Sequence, residues 1–406
     1  MEKHTFGNEY GFQTRAVHTG NDIDAETGAI KRPITMANSY ALPYDPSDLN
    51  WSSAGKNLYT RNGGSNQQYL QEKLASLEGG EDCVVLASGV AALSGLFFAL
   101  LESGDHVVFS SVTYIAVYRL LNELLKNKFH VDTTIVDTSD LEAVKKAIRP
   151  NTKLVHIETP GNPTLTISDI RAIADIAHEN GALLSVDNTF ASPYNQRPIE
   201  LGADFTVESL TKYINGHGDA MGGAIIGKKK YLDIIRAQSQ VNLGATISPF
   251  NAWLIMRGAV TLPLRMRQHN ANALQVAKYL QTVKGVSFVA YPGLETHKGH
   301  RRPRSRRHSA PSSVPPSVPV FCSLCFVGRS SWALPAPDLR TCSSDMPFSS
   351  AMMAVTSGPQ KPPWQRPMPG RTRRLTPSTV SQGTGLRSAS NISPLLTSSH
   401  RQTISP

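Results

Sequence analysis

Hydrophobic and polar positions follow two alternating patterns through the middle of the chain. Short apolar runs such as DCVVLA and ALLSVD indicate buried strands, whereas SNQQYLQEKLASLEGG carries leucines at helical spacing and stops at two glycines. Apolar strands that alternate with amphipathic helices are typical of a mostly parallel sheet covered on both faces. The pattern therefore predicts an α/β domain, which we place at residues 61–250.

Seven strands and five helices make up this predicted domain. The strands, in chain order, are DCVVLA, HVVFSS, TTIVD, KLVHIET, ALLSVD, DFTVES and GGAIIG. The helices are SNQQYLQEKLASLEGG, SGVAALSGLFFALLESG, YIAVYRLLNELLKN, DLEAVKKAIRP and SDIRAIADIAHENG.

The segments on either side have other patterns. Residues 1–60 are rich in Thr, Asn, Pro and Gly, which predicts an irregular, extended arm that wraps a neighbouring subunit. Residues 251–297 contain a long helix through 271–283 and one more strand, GVSFVAYPG. We expect this part to begin a small C-terminal domain.

Residues 298–406 differ from the rest in composition. They hold 16 of the 27 prolines, no glutamate, and 15 Lys+Arg against two acids, so they carry the excess positive charge behind the net +10 of the chain. No periodicity is sustained there, so we expect a disordered tail that arises from a shifted reading frame. A genuine basic appendage that binds nucleic acid is the alternative, although no aromatic stacking platform accompanies its arginines.

Other classes of function have little support in the sequence. The first residues lack the apolar core of a signal peptide, and no apolar run reaches membrane-spanning length, so we expect a cytoplasmic protein. Cys83 is the single cysteine before the tail, which fits a reducing compartment. The chain has no GxGxxG or GxxxxGK[ST] nucleotide motif, and the lone pair Cys322-x-x-Cys325 is weak support for a metal site, so we expect none.

The chemistry is concentrated at the ends of three predicted strands. Asp187 ends LLSVD, and Lys212 follows FTVES, flanked by Ser209 and Thr211. Pyridoxal phosphate requires such a set, because it needs an amine for a Schiff base, a carboxylate beside its ring nitrogen and donors for its phosphate. Each residue taken singly also has an ordinary explanation as a cap or a surface side chain.

A third strand end supplies a candidate phosphate site. Ser88-Gly89-Val90 follows DCVVLA and opens a helix, so Ser88 can cap the helix while Gly89 lets the backbone approach a ligand. Free amides and the positive end of the helix favour an anion.

Several segments together resemble the Cys/Met-metabolism family of pyridoxal-phosphate enzymes, which includes cystathionine γ-synthase, cystathionine γ- and β-lyases, methionine γ-lyase and O-acetylhomoserine sulfhydrylase. The segments are YTRNGGSNQQYLQEKLASLEGGE, ASGVAAL, ETPGNPTLTISDI, VDNTFASP, SLTKYINGHGD and MGGAIIG. The resemblance implies the aspartate-aminotransferase-like fold (fold type I), with an extended N-terminal arm. It also implies a C-terminal domain that is incomplete here.

The resemblance also implies roles for individual residues. Lys212 corresponds to the Schiff-base lysine that also moves protons, Asp187 to the partner of the ring nitrogen, and Tyr114 to the tyrosine that stacks on the ring and assists catalysis. The remaining cofactor contacts correspond to Ser88, Gly89, Val90, Ser209 and Thr211 at the phosphate, Asn162 and Glu158 at the ring's 3′-oxygen edge, and Tyr59 and Arg61 reaching the phosphate of a neighbouring subunit. The last pair implies a homodimer or homotetramer with shared active sites.

Three departures from the family pattern affect the expected activity. The residues after Tyr114 are Ile115-Ala116-Val117 instead of the frequent Gly-Gly-Thr, and Glu208 stands where a histidine is common. The C-terminal arginine that clamps the substrate carboxylate has no recognisable counterpart. Losing such a contact costs on the order of 1.5–3 kcal/mol, so we expect weak activity.

The resemblance predicts γ-elimination or γ-replacement on a sulfur-containing or O-acylated homoserine-type amino acid. Cystathionine β-lyase-type β-elimination is an alternative that the sequence leaves open. A catalytically inert, cofactor-binding subunit that assembles with intact copies is another.

Overall fold

The computed structural model describes residues 9–42, 44–45, 47 and 58–300, together with the backbone of two short strands at 326–329 and 355–356. Almost all of the predicted tail, 298–406, lies outside the described residues. So do Cys322 and Cys325.

A seven-stranded sheet forms the core of the part of the chain that the structure describes. Its strands are β1 (Asp82–Leu86), β2 (His106–Ser110), β3 (Asp132–Val136), β4 (Thr152–Glu158), β5 (Leu183–Asp187), β6 (Phe205–Ser209) and β7 (Gly223–Gly227). The spatial order is β1-β7-β6-β5-β4-β2-β3. The β2, β3, β4, β5 and β6 neighbours pair in parallel, and β7 runs antiparallel to β6 and β1. The seven strands predicted from the sequence are therefore confirmed.

The helices in the described part are α1 (Phe12–His18), α2 (Ser65–Glu78), α3 (Gly89–Leu100), α4 (Ile115–Tyr118), α5 (Lys126–Phe129), α6 (Leu141–Ala147), α7 (Ile170–Glu179), α8 (Ser192–Asn195), α9 (Lys229–Ile235), α10 (Pro249–Ala259) and α11 (Leu262–Thr282). Two π-helical segments, Arg119–Leu125 and Arg236–Asn242, and a 3₁₀ turn at Pro198–Leu201 continue or join them. The long helix, α11, begins nine residues before the predicted 271, with Pro263 in its first turn, where no amide is needed.

Alternation along the strands builds a core on each face of the sheet. In β1, Val84 and Leu86 belong to the cluster under α3, whereas Cys83 and Val85 belong to the cluster under α2 and α10. A third cluster lies between α7 and the strands β4 and β5. Both faces of the sheet are thus covered, as the near-continuous apolar strands predict.

Two helix ends have the caps that the sequence predicts. Gly79 follows α2 in the left-handed conformation, with φ of +76°, which glycine adopts without the strain of a Cβ atom. The hydroxyl of Ser88 accepts a hydrogen bond from the backbone N–H of Ala91 at 3.0 Å and so caps α3.

The N-terminal region contains one helix that the sequence analysis did not predict. The seven residues of α1 are too few to be stable alone, but two side chains of the protein hold the helix against α2. The amine of Lys73 donates to the carbonyl of Ala16 at 2.6 Å, and Arg15 donates to the carbonyl of Ser76. Tertiary contacts therefore stabilise this helix, and the local sequence pattern does not predict it.

The last described part of the chain continues from α11 into β8 (Val286–Ala290), as predicted. The strand pairs antiparallel with β9 (Phe326–Arg329), which pairs in parallel with β10 (Val355–Thr356). The sequence analysis predicted neither of the last two strands. None of the helices in the described part combines the length and the apolar composition needed to cross a membrane.

Candidate active site

Three of the predicted site residues lie at the carboxyl ends of neighbouring strands. Glu158 at the end of β4 is paired in register with Asp187 at the end of β5, and Asp187 with Val207 of β6. Ser209 ends β6 two residues further on. Ligands of open α/β sheets bind at this edge. The fold thus gathers the acid, the serine and the turn that carries Lys212 at one end of the sheet.

The start of α3 packs directly against the ends of β6 and β7. A Cβ atom added to Gly89 would lie 2.8 Å from both Cβ and Oγ of Ser209, and one added to Gly223 would overlap the carbonyl oxygen of Ser88. Neither position has room for a side chain. The close approach leaves the first amides of a twelve-residue helix beside the Ser209 hydroxyl, which is an arrangement suited to an anion.

Asp187 is buried, with 8% of its surface exposed, and it is fixed by its neighbours. Its Oδ1 accepts the N–H of Thr189 at 3.0 Å, and the Thr189 hydroxyl accepts the N–H of Ser209 at 2.8 Å. Burial raises the pKa of Asp187, because the ionised form loses its hydration. No cation of the described part forms an ion pair with this carboxyl group. A protonated ring nitrogen would provide the missing charge.

Lys212 lies in the turn after β6. Its N–H donates to the carbonyl of Ser209 at 3.1 Å, its carbonyl accepts the N–H of Gly216 at 2.8 Å, and its side chain is exposed. The hydroxyl of Thr211 is engaged locally, since it accepts the N–H of Gly222 at 3.2 Å and donates to the Gly222 carbonyl at 3.3 Å. The amine of Lys212 is therefore available to react with a ligand. Thr211 links the turn that carries Lys212 to the residue before β7.

Glu158 organises the opposite side of the strand ends. One carboxyl oxygen accepts the N–H of Tyr114 at 2.6 Å and the other accepts the N–H of Asn162 at 2.8 Å. Burial, together with nearby Asp187, raises the pKa of Glu158 to about 8. Tyr114 is 43% exposed at the start of α4, so its ring is available at the edge of the site.

Tyr59 and Arg61 are not joined to this cluster within one chain. The guanidinium of Arg61 lies 5.0 Å from the ring centre of Tyr59, and both side chains are exposed. In the described part of the molecule, neither makes a hydrogen bond or ion pair with the start of α3 or with the Lys212 turn.

Several residues at the site were not predicted from the sequence as functional. Thr189, Gly222 and Gly223 stand inside the quoted motifs VDNTFASP and MGGAIIG, so their spacing could have indicated them. Glu208 was noticed only as a departure from the family pattern.

The structure places Glu208 in a buried pair with Glu78 of α2. Both side chains are almost fully buried, and each has one carboxyl oxygen without a hydrogen-bond partner in the described part. Burial raises the pKa of Glu78 to about 7, and burial and Glu78 raise the pKa of Glu208 well above its usual range. Like charges in such a site do not ionise together, so the two groups hold at least one proton at neutral pH.

The described residues contain no group of three or more His, Cys, Asp or Glu side chains placed to hold a metal ion. The strand ends instead present an anion-binding helix start, a buried acid without a cation and an exposed amine. These features fit pyridoxal phosphate, which combines a phosphate, a basic ring nitrogen and an aldehyde.

Comparison with known proteins also indicates a pyridoxal-phosphate enzyme. Residues 13–313 match the family model described as Cys/Met metabolism PLP-dependent enzyme. A canavanine γ-lyase of Rhizobium leguminosarum bv. trifolii (strain WSM2304) is 56% identical over 299 residues, which are 74% of each chain. An L-methionine γ-lyase of Porphyromonas gingivalis (strain ATCC BAA-308 / W83) is 42% identical over 290 residues, covering 70% of this chain and 72% of the relative.

A solved structure shares the architecture. The crystal structure of metB from Corynebacterium glutamicum matches with a TM-score of 0.68 and 40% identity, covering 72% of this chain and 74% of that chain. The fold type I architecture implied by the sequence is therefore confirmed. From the family match, the relatives and this fold, the chain belongs to the Cys/Met metabolism family of pyridoxal-phosphate-dependent enzymes.

Proposed function

We propose that this protein holds pyridoxal phosphate on Lys212 and eliminates or replaces a group at the γ-carbon of an amino acid. The observation that carries the proposal is the convergence of buried Asp187, the start of α3 and the Lys212 turn at one end of the sheet. The γ-lyases and γ-synthases among its relatives favour γ-chemistry. The names of these relatives give no support to the β-elimination alternative.

Each residue at the strand ends has a role that follows from its position. The amides of Gly89 and Val90 and the hydroxyl of Ser209 would hold the phosphate, because a helix start favours an anion. Asp187 would keep the ring nitrogen protonated through a charge-assisted hydrogen bond. When bound, the cofactor supplies an electron sink for carbanion chemistry.

Proton transfer would be performed by the chain's own groups. The exposed amine of Lys212 is free of hydrogen bonds in the described part, so it is available to take the α-proton of the substrate and to deliver it elsewhere. Tyr114 lies at the edge of the same site, where its backbone N–H donates to the carboxyl group of Glu158. Asn162, fixed by the same carboxyl group, would orient the ring from its other edge.

The substrate class is an amino acid with a heteroatom leaving group on its γ-carbon. Two canavanine γ-lyases are 56% and 53% identical to the chain, whereas the L-methionine γ-lyases are 40–42% identical. Canavanine is accordingly the first substrate to test, ahead of the sulfur-containing and O-acylated homoserines that the resemblance implied.

We further propose a homodimer or homotetramer in which Tyr59 and Arg61 of each subunit serve the neighbour's phosphate site. Their exposure, and the lack of any ion pair from Arg61 to the site of its own chain in the described part, support this arrangement. Free, buried Cys83 supports a reducing cytoplasmic setting.

The division of the chain remains part of the proposal. Residues 61–250 would bind the cofactor, 1–60 would reach the neighbour, and 251–297 would begin the small domain. The tail at 298–406 would add no catalytic group, which would leave the substrate carboxylate without its arginine clamp and the activity low.

Absorption spectroscopy and a substrate panel test the proposal. The purified protein should show the visible absorption of lysine-bound pyridoxal phosphate, and Lys212→Ala should abolish it. Lys228→Ala, a change of an exposed lysine after β7, is the matched control and should keep it. Release of an oxo acid and ammonia should be greater from canavanine than from methionine, cystathionine or O-acetylhomoserine. A folded wild type that stays colourless with added cofactor would refute the assignment.

A further inference from the structure

Arg265, near the start of α11, makes hydrogen bonds to four oxygen atoms. Its Nη1 donates to the carbonyl of Tyr213 at 2.6 Å, and its Nη2 donates to the carbonyls of Ile214 at 3.2 Å and Gly258 at 2.9 Å. Its Nε donates to the hydroxyl of Thr261 at 3.0 Å. The guanidinium thus joins the residues that follow Lys212 to the last turn of α10 and to Thr261, which precedes α11.

No acid takes part in these contacts. Arginine most often pairs with a carboxylate or a phosphate, yet in the described part of the chain Arg265 has only neutral oxygens as partners. Burial lowers its pKa to about 10, which still leaves it charged at neutral pH. Because Arg265 forms no ion pair in the described part, its contribution is to hold the backbone carbonyls that it contacts in place.

Two glycines show how tightly the turn is held. A Cβ atom at Gly216 would overlap the Arg265 guanidinium, and one at Gly258 would overlap the carbonyl of Asn215. The turn from Tyr213 to Gly216 therefore packs backbone to backbone on the end of α10, with Arg265 in the gap between them.

Lys212 depends on this turn for its direction. Its amine makes no hydrogen bond or ion pair in the described part of the molecule, so the backbone around it sets where the side chain projects. Asn215 N–H donates to the carbonyl of Leu210 at 3.0 Å, which closes the turn on the side of β6. The other side is closed by Arg265.

We propose that Arg265 is a positioning residue for Lys212: by holding the carbonyls of Tyr213 and Ile214 against α10, it fixes the turn that aims the lysine amine at the strand ends. The inference rests on the proposed function for the identity of the amine's target. The mobility of the turn itself can be measured without cofactor.

Amide hydrogen exchange on the full-length protein without cofactor is the first test. Arg265→Met should accelerate exchange of the peptide that contains Asn215 and Gly216 at least tenfold, whereas peptides from β1 and β7 should change less than twofold. Arg265→Lys keeps the charge but reaches fewer oxygens, so it should give an intermediate increase. If Arg265→Met fails to fold, Arg265→Lys must still accelerate the turn selectively.

Arg236 provides a matched control. It is buried, whereas Arg265 is half-buried, and it pairs with Asp82 at 2.7 Å and Asp233 at 2.9 Å, beside β1. Arg236→Met should therefore accelerate the β1 peptide and leave the Lys212 turn unchanged. The proposal is overturned if the turn stays within twofold of wild type in both Arg265 variants, or if Arg236→Met loosens it equally.

Visible absorption then connects the turn to the cofactor. At saturating pyridoxal phosphate, Arg265→Met should lose at least half of the lysine-bound absorption per molecule, while Arg236→Met should retain it. Full absorption in Arg265→Met would overturn the aiming role. A colourless wild type with the selective exchange result would instead refute the proposed function and confine Arg265 to ordering the turn.

Discussion

Replacing Glu78 with glutamine should change how the stability of the protein depends on pH. Glu78 of α2 and Glu208 of β6, the residue before Ser209, are buried side by side, and Asn188 donates to Glu78 at 3.3 Å. Burial raises the pKa of Glu78 to about 7 from an ordinary value of 4.5. Between about pH 4.5 and 7, the folded protein therefore keeps a proton on Glu78 that the unfolded chain has already released.

The sign and the size follow from proton linkage. A group whose pKa is raised on folding contributes stability that is complete below the unfolded pKa and is lost as the pH rises through the folded pKa. At 1.36 kcal/mol per pKa unit, the window from 4.5 to about 7 corresponds to about 3 kcal/mol. Glutamine does not titrate, so Glu78→Gln should gain about 3 kcal/mol relative to wild type between pH 4.5 and 7.

The difference between variant and wild type removes the contributions of groups that do not contact Glu78. It includes the smaller rise in the pKa of Glu208 once the Glu78 charge is gone, which acts in the same direction. Burial lowers the pKa of His156 to about 3 and that of His106 to about 4, and both groups make wild type more stable as the pH rises. They do so equally in the variant. Unfolding in urea of the cofactor-free protein, followed by fluorescence at several pH values, measures the difference directly.

Glu142→Gln, a change of an exposed acid on α6, is the control and should show no such trend. A free-energy difference between Glu78→Gln and wild type that stays constant from pH 4.5 to 7.5 would show that the pair does not hold the proton.

Other predictions concern the start of α3 and the tail. Ser88→Ala should lower the free energy of unfolding by about 1 kcal/mol in thermal or urea unfolding, because the cap of α3 is lost. Gly89→Ala should weaken pyridoxal phosphate binding at least tenfold in a fluorescence titration, since its Cβ would meet Ser209 at 2.8 Å; unchanged affinity would contradict the phosphate site. Deleting 298–406 should leave the residual γ-elimination rate unchanged, and a clear drop in that assay would show that the tail contributes to the site.

Most of the central sheet could be predicted from the sequence because its strands are short, apolar and separated by strong stop signals. Gly79 ends α2 and Ser88 opens α3 through local chemistry, and both are visible in the sequence. The acid, the serine and the lysine could be found because each follows a strand end.

The missed features depend on contacts between distant parts of the chain. The short helix α1 exists because Lys73, some 56 residues further along the chain than Val17, reaches its last turn. Arg265 sits in a helix whose sequence shows only an amphipathic pattern, and its two partners in the Lys212 turn lie 51 and 52 residues away. The pairing of Glu78 with Glu208 is likewise invisible until α2 is packed on the sheet.

The most direct test of the central claim is reduction of the protein with borohydride in the presence of pyridoxal phosphate, followed by peptide mapping. The account predicts a single stable label on the peptide that contains Lys212, and no label in Lys212→Ala. A label on another lysine, or none on folded wild type, would contradict it.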